Sequence, residues 1–158
     1  MGLTVAELGV QPPLVARVGG DAEALGQGGD AVLVGAGDIA SCRSTGDEAT
    51  ANLLAGIEGT VATFGDNAYP KGTDADFARC YAPPSWGLFK TRTLPSPGNH
   101  EADGASGYFD YFSATPSAPV PNTPANPGLT PGKGYYSYDL GSWHIIALNS
   151  NCSFVAGG

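Results

Sequence analysis

Basic residues are scarce in this chain. Seven Lys and Arg stand against fifteen Asp and Glu, which leaves a net charge of −8. That balance argues against a nucleic-acid surface and against an anionic membrane surface. It does not exclude a phosphate ester, because bound divalent metals invert the local field. Charge of either sign is also low, at 14%, so much of the surface must be polar and uncharged. No apolar run approaches the roughly 18 residues of a membrane-spanning helix. Residues 1–30 lack the basic start and apolar centre of a signal peptide. The three cysteines, Cys42, Cys80 and Cys152, show no CxxC spacing, which argues against a zinc site. Gly35-Ala36-Gly37-Asp38 lacks the third glycine of a dinucleotide turn, and no Walker lysine follows, so a Rossmann-type nucleotide binder is the weakest reading.

Glycine (24) and proline (13) are plentiful among the 158 residues. The chain is loop-rich, yet long enough for one domain with a core. Residues 1–30 form an N-terminal arm, within which Leu3 to Val18 is read as a strand or an interface arm. Ala31 to Ala36 is apolar throughout, as a strand buried on both faces should be. Ser44-Thr45-Gly46-Asp47 offers helix-capping chemistry. Glu48 to Ile57 then places Leu53, Leu54 and Ile57 on one side of a helix closed by Gly59. Residues 60–64 form the next strand, and the β–α–β order implies parallel pairing with a right-handed crossover.

Thr73 or Asp74 caps a helix to about Tyr81, with Phe77 and Tyr81 on one face, and Pro83-Pro84 ends it. Trp86, Leu88 and Phe89 are expected to fill the core under the next strand. Ala105 to Phe112 reads as a short helix whose Tyr108, Phe109, Tyr111 and Phe112 are core rather than a substrate platform. Residues 113–133 are too long for a simple connection and are read as a flap or a mobile loop. Tyr136, Tyr138 and Leu140 alternate as in a half-buried strand. Gly141-Ser142 turns it into a partner strand from Trp143 to Leu148. His144, inside that strand, is read as structural, without a ligand-type neighbour. Cys42 and Cys80 follow the first two loops of the parallel unit. Either they form a disulfide or they are two buried thiols; the disulfide is proposed. Cys152 then lacks a mate within the chain.

One pattern occurs three times. An apolar, β-prone run meets a glycine and then a hard oxygen ligand: Gly37-Asp38, Gly65-Asp66-Asn67-Ala68-Tyr69 and Gly98-Asn99-His100-Glu101. A single Gly-Asp is an ordinary turn. Three in order, the last reading Gly-Asn-His-Glu, point to chemistry at strand ends.

These three blocks resemble the first three motif blocks of the calcineurin-like metallophosphoesterases. Tyr69, three residues after Asp66, is similar to the purple acid phosphatase branch. The resemblance covers about residues 31–151. It implies an α/β fold: the N-terminal half of a four-layer α/β/β/α metallophosphoesterase sandwich, with a mixed sheet built on parallel βαβ units. It implies a dinuclear metal centre, with iron paired with zinc, manganese or iron. Asp38 and Tyr69 would bind one ion, Asp66 would bridge both, and Asn99 would bind the second. His100 would stabilise the transition state or protonate the leaving oxygen, and Glu101 would orient His100. The substrate would be a small phosphoester.

Two departures stand out. The family often has Asp-x-His in its first block, where Asp38-Ile39-Ala40 has alanine; the purple acid phosphatases lack that histidine too and use the tyrosine. The family also carries a lone histidine and a Gly-His-x-His block beyond the equivalent of residue 150, and neither occurs here. Residues 31–158 are therefore read as a partial domain without its His-bearing half, weakly active or inactive as it stands. A complementing C-terminal half is the expected partner, and an extracytoplasmic or secreted setting the expected location. The alternative is a non-catalytic, phosphoesterase-like module for binding or assembly, with the Gly-Asp loops kept only as turns.

Overall fold

The computed structural model describes residues 14–18, 31–101, 105–113, 122–123, 126–127 and 133–151. Its centre is a mixed sheet in the order β1 (Leu14–Val18), β2 (Ala31–Ala36), β3 (Thr60–Thr63) and β4 (Thr93–Leu94). Strand β1 pairs antiparallel with β2, while β2, β3 and β4 run parallel. Parallel neighbours need a crossover, and helix α1 (Gly46–Ala55) supplies the first. The expected β–α–β unit is present, and part of the N-terminal arm extends its sheet. Among the described residues no helix is long and apolar enough to cross a membrane.

Several local expectations need correction. Thr45 sits at the N-cap of α1 without a side-chain capping bond. The helix ends at Gly56, three residues before Gly59, and Gly59, at φ 105°, instead turns the chain into β3. Ala51 and Leu54 face the core, but Leu53 is exposed, so the buried stripe is narrower than the leucine pair suggested. Thr73 does cap α2 (Asp74–Asp76), through a reciprocal bond with Asp76. The helix then widens into a π turn over Phe77–Tyr81, where the Ala82 amide reaches the Phe77 carbonyl. A 3-10 segment, Trp86–Arg92, leads into β4. Its Trp86 is buried and donates from Nε1 to Thr50 Oγ1 at 2.9 Å, whereas Leu88 is exposed.

Helix α3 (Ser106–Ser113) completes an aromatic core. Phe77 stacks on Tyr111 with centroids 4.9 Å apart, and Tyr81 meets Phe112 edge-on at 5.7 Å. The aromatic helix is therefore packing, as expected. A short pair, β5 (Asn122–Thr123) and β6 (Asn126–Pro127), follows; the flap reading for the rest of 113–133 falls on residues outside the description. The hairpin of β7 (Tyr136–Leu140) and β8 (Trp143–Ala147) buries Tyr136 and Tyr138 against Leu94. The hydroxyls of Tyr108 and Tyr136 both donate to the Pro95 carbonyl, at 2.9 and 2.7 Å. Two separate core clusters thus clamp the peptide that leads into the Gly-Asn-His-Glu loop. Cys42 and Cys80 form a disulfide with Cα atoms 5.0 Å apart. Cys152 lies outside the described residues.

The buried phenols make the fold sensitive to alkali. Burial pushes Tyr81, Tyr108 and Tyr136 well above the ordinary tyrosine value, and Tyr138 up to about 12. A phenol raised in the folded state favours folding while it is neutral. That contribution is whole below about pH 10, the unfolded value, and fades as pH climbs toward the folded one. Tyrosinate absorbance should therefore rise late, together with loss of near-ultraviolet circular dichroism. Ionisation of every tyrosine near pH 10, with the tertiary signal intact, would contradict this packing.

Candidate metal centre

The C-terminal ends of β2, β3 and β4 share one edge of the sheet because the three strands are parallel. The loops that leave them are laced together by backbone bonds. Asp38 N donates to Gly65 O at 3.2 Å, Ile39 N to Asp66 O at 2.9 Å and Ala40 N to Asn67 O at 3.0 Å. Tyr69 N returns a bond to Ala40 O at 2.8 Å. The first two motif blocks are thus a continuation of the parallel ladder past the strands themselves.

Asp38 and Asp66 both adopt the left-handed conformation, with φ of 54° and 52°. Non-glycine residues rarely do so, and such positions gather at functional sites. Their carboxylates meet at one atom. The Tyr69 hydroxyl reaches Asp38 Oδ1 in a short contact and Asp66 Oδ2 at 3.2 Å. Asp66 Oδ1 accepts the His100 amide at 2.9 Å, which ties the third loop to the second. Asp38, Asp66 and Asn99 line one cleft of about 460 Å³. Residues singled out in three successive loops therefore border one cleft.

His100 packs its ring against Tyr69, with centroids 4.5 Å apart. Its Nδ1 lies 2.8 Å from the Pro70 carbonyl. A carbonyl can only accept, so Nδ1 carries the proton and Nε2 is the nitrogen left to exchange one. Glu101 does not reach that ring through its carboxylate. It is fully buried and collects backbone amides instead. Oε2 accepts from Gly98 N at 2.6 Å and Asp66 N at 3.0 Å; Oε1 accepts from Asn67 N at 2.7 Å and Ala68 N at 3.4 Å. Burial pushes its carboxyl up, an effect that the amides of Gly98, Asn67 and Ala68 offset only in part. Its role is to bind the second loop to the third, and the Pro70 carbonyl orients His100.

Asn67 is a further strut that the motif reading passed over. Its side-chain amide donates to the Ser96 carbonyl at 2.9 Å from a fully buried position. The only hint in the sequence was an asparagine directly after the aspartate of a strand-end turn. His144 is exposed on the hairpin and outside the cleft. It does have a ligand-type neighbour, because Asp139 Oδ1 sits 2.7 Å from its Nδ1 across the two strands.

The donors at the strand ends are all oxygen, the set that hard cations prefer. Among the described residues no three His, Cys, Asp or Glu side chains gather as a ligand group; two aspartates and a phenol meet, and Asn99 lines the same cleft as the aspartates. Burial first, then the bond to Asp38 and the charge of Asp66, hold the Tyr69 phenol far above its ordinary value. A cation among these oxygens would act in the opposite direction, favouring the phenolate that the carboxylates alone oppose. The residues fit a cation on this ground. Comparison with family models, with characterised proteins and with solved structures returned no match to this chain.

Proposed function

We propose that the cleft is part of the dinuclear centre of a metallophosphoesterase, in a chain that supplies one half of a four-layer α/β/β/α sandwich. The observation that carries this reading is the meeting of Asp38, Asp66 and Tyr69 at a single hydroxyl. The assignment follows the calcineurin-like pattern of the purple acid phosphatase branch. Asp38 and Tyr69 would hold a ferric ion, Asp66 would bridge, and Asn99 would hold a second ion, iron, zinc or manganese. When bound, such a pair provides a nucleophilic water at neutral pH and neutralises the phosphoryl oxygens.

The chain's own residues do the rest. His100, its Nδ1 proton held by Pro70, would as the imidazolium give its Nε2 proton to the leaving oxygen of a small phosphoester, leaving the neutral ring. Glu101 and Asn67 keep the loops in register, so that Asp66 and Asn99 stay on one cleft. Four donors are too few to close two metal sites, and the missing ones would come from a complementing segment or chain that bears histidines. The disulfide suits an oxidising, extracytoplasmic setting. The second reading, a non-catalytic binding or assembly module, draws on the same interlocked loops, whose backbone bonds hold them together without a cation.

Ferric ion separates the two. A phenolate on ferric iron absorbs in the visible, so titrating the chain with ferric ion should give a coloured complex. Tyr69→Phe should abolish the colour, and Asp66→Asn should weaken iron binding by at least about tenfold. A colourless, iron-free chain would favour the binding module. Hydrolysis of p-nitrophenyl phosphate by this chain is expected to be slow or absent.

A further inference from the structure

Three basic side chains among the described residues have an evident task. Arg92 donates to the Gly59 and Leu54 carbonyls at 2.7 and 3.0 Å. Lys90 lies 4.0 Å over the Tyr111 ring and Lys133 lies 6.0 Å over the Tyr135 ring. Arg43 and Arg79 differ. Neither guanidinium has a hydrogen bond or ion pair among the described residues, although the chain carries fifteen carboxylates. Two unpaired guanidiniums in so acidic a chain call for an explanation.

The disulfide brings both to one pocket. Arg43 follows Cys42 and Arg79 precedes Cys80, so the cross-link brings two distant stretches of chain together. Both arginines line a pocket of about 240 Å³, with Ser41, Tyr69, Pro70 and Asp76 on its other walls. Asp76 is the one carboxylate there. Its Oδ2 is already engaged, accepting from Lys71 N, Thr73 N and Thr73 Oγ1. The lining thus has an excess of positive charge, which repels a cation and suits an anion.

The pocket adjoins the candidate metal centre. Tyr69 lines it and also carries the hydroxyl that meets Asp38 and Asp66. Pro70 lines it and also holds His100. An anion seated between the arginines is therefore one side chain away from the cleft where the reacting phosphate would sit.

We propose that the Arg43–Arg79 pocket is a second anion subsite, taking the distal phosphate of a substrate that carries two phosphate groups. The proposal rests on the phosphoester reading of the neighbouring cleft. Guanidinium forks match phosphate oxygens in pairs, and two forks can share one dianion. Selection would thus favour a diphosphate over a simple monoester.

The test uses the full chain, freed of metal, with inorganic pyrophosphate and inorganic phosphate as probes in calorimetry. The bare chain reads the arginine pocket alone; with manganese ion added to the cleft, pyrophosphate should bind more tightly than phosphate. Arg43→Gln and Arg79→Gln should each weaken pyrophosphate binding by about tenfold. Both residues are exposed, so the variants should fold, and an unchanged circular dichroism spectrum verifies it. Pyrophosphate binding that is absent, or equal in the parent and both variants, overturns the subsite. Phosphate binding as tight as pyrophosphate binding with manganese ion present overturns the two-phosphate assignment. The ferric colour reads the cleft independently. Its absence beside arginine-dependent pyrophosphate binding would count against the metal centre and leave the anion site standing.

Discussion

Replacing Glu101 with glutamine should lower the unfolding free energy by about 3 kcal/mol, the scale of a broken buried ionic network. The size follows from what the side chain does. One buried carboxylate accepts amides from Asp66, Asn67, Ala68 and Gly98. Glutamine is nearly the same shape, but one of its two ends is a donor. Whichever way the amide turns, that end faces N–H groups and leaves them buried without an acceptor. Urea unfolding is the measurement. Glu101→Ala should be at least as damaging, since it removes both oxygens and leaves a cavity. Midpoints within experimental error of the parent for both variants would refute the role assigned to Glu101.

Gly98→Ala should damage the site as well as the fold. An added Cβ would overlap Oδ1 and the amide nitrogen of Asp66 and stand 2.9 Å from its Cγ. Two of these are atoms of a carboxyl group already fixed by the His100 amide, and the other is backbone, so nothing can swing aside. Overpacking of this kind commonly costs about 1–3 kcal/mol. Relief requires the second and third loops to part, which separates Asp66 from Asn99. The expected result is a lower urea midpoint together with at least about tenfold weaker ferric binding. The control is Gly46→Ala, where an added Cβ meets only the Ser44 hydroxyl at 3.8 Å and both readouts should be unchanged. Parent-like ferric binding by Gly98→Ala would show that the loops need not be in contact for a metal to bind.

The parallel unit was legible because its signals are local. Ala31–Ala36 and Thr60–Thr63 are short apolar or β-branched runs, each stopped by a Gly-Asp pair, and β7 declares itself by alternating Tyr136 and Tyr138. Asp38 and Asp66 stood out for the same reason, each lying in the turn just after its strand, whereas Asn99 lies beyond Pro95-Ser96-Pro97 from the end of β4. Roles that depend on distant partners were not. Glu101 sits beside His100 in sequence, and proximity suggested that it served that ring. Its real partners are amides more than thirty positions away, apart from Gly98, and no pattern records them. Leu53 and Leu88 misled because hydrophobicity does not say which side of a narrow helix the core covers. The π turn at Phe77–Tyr81 shows no periodic signal distinct from an α-helix over so few residues. The disulfide was readable as far as topology brings Cys42 near Cys80. The pairing of Arg43 with Arg79 needed the bond itself.

Both aspartates of the centre hold a backbone shape that glycine adopts freely and L-residues resist, by about 1–2 kcal/mol for an ordinary side chain. Selection for thermal tolerance alone would therefore push positions 38 and 66 toward glycine or asparagine. Acids there would trade robustness for the chemistry proposed. A stabilised variant library that drifts to glycine at these two positions would gain melting temperature and, on the proposed reading, give up cation binding in the same step.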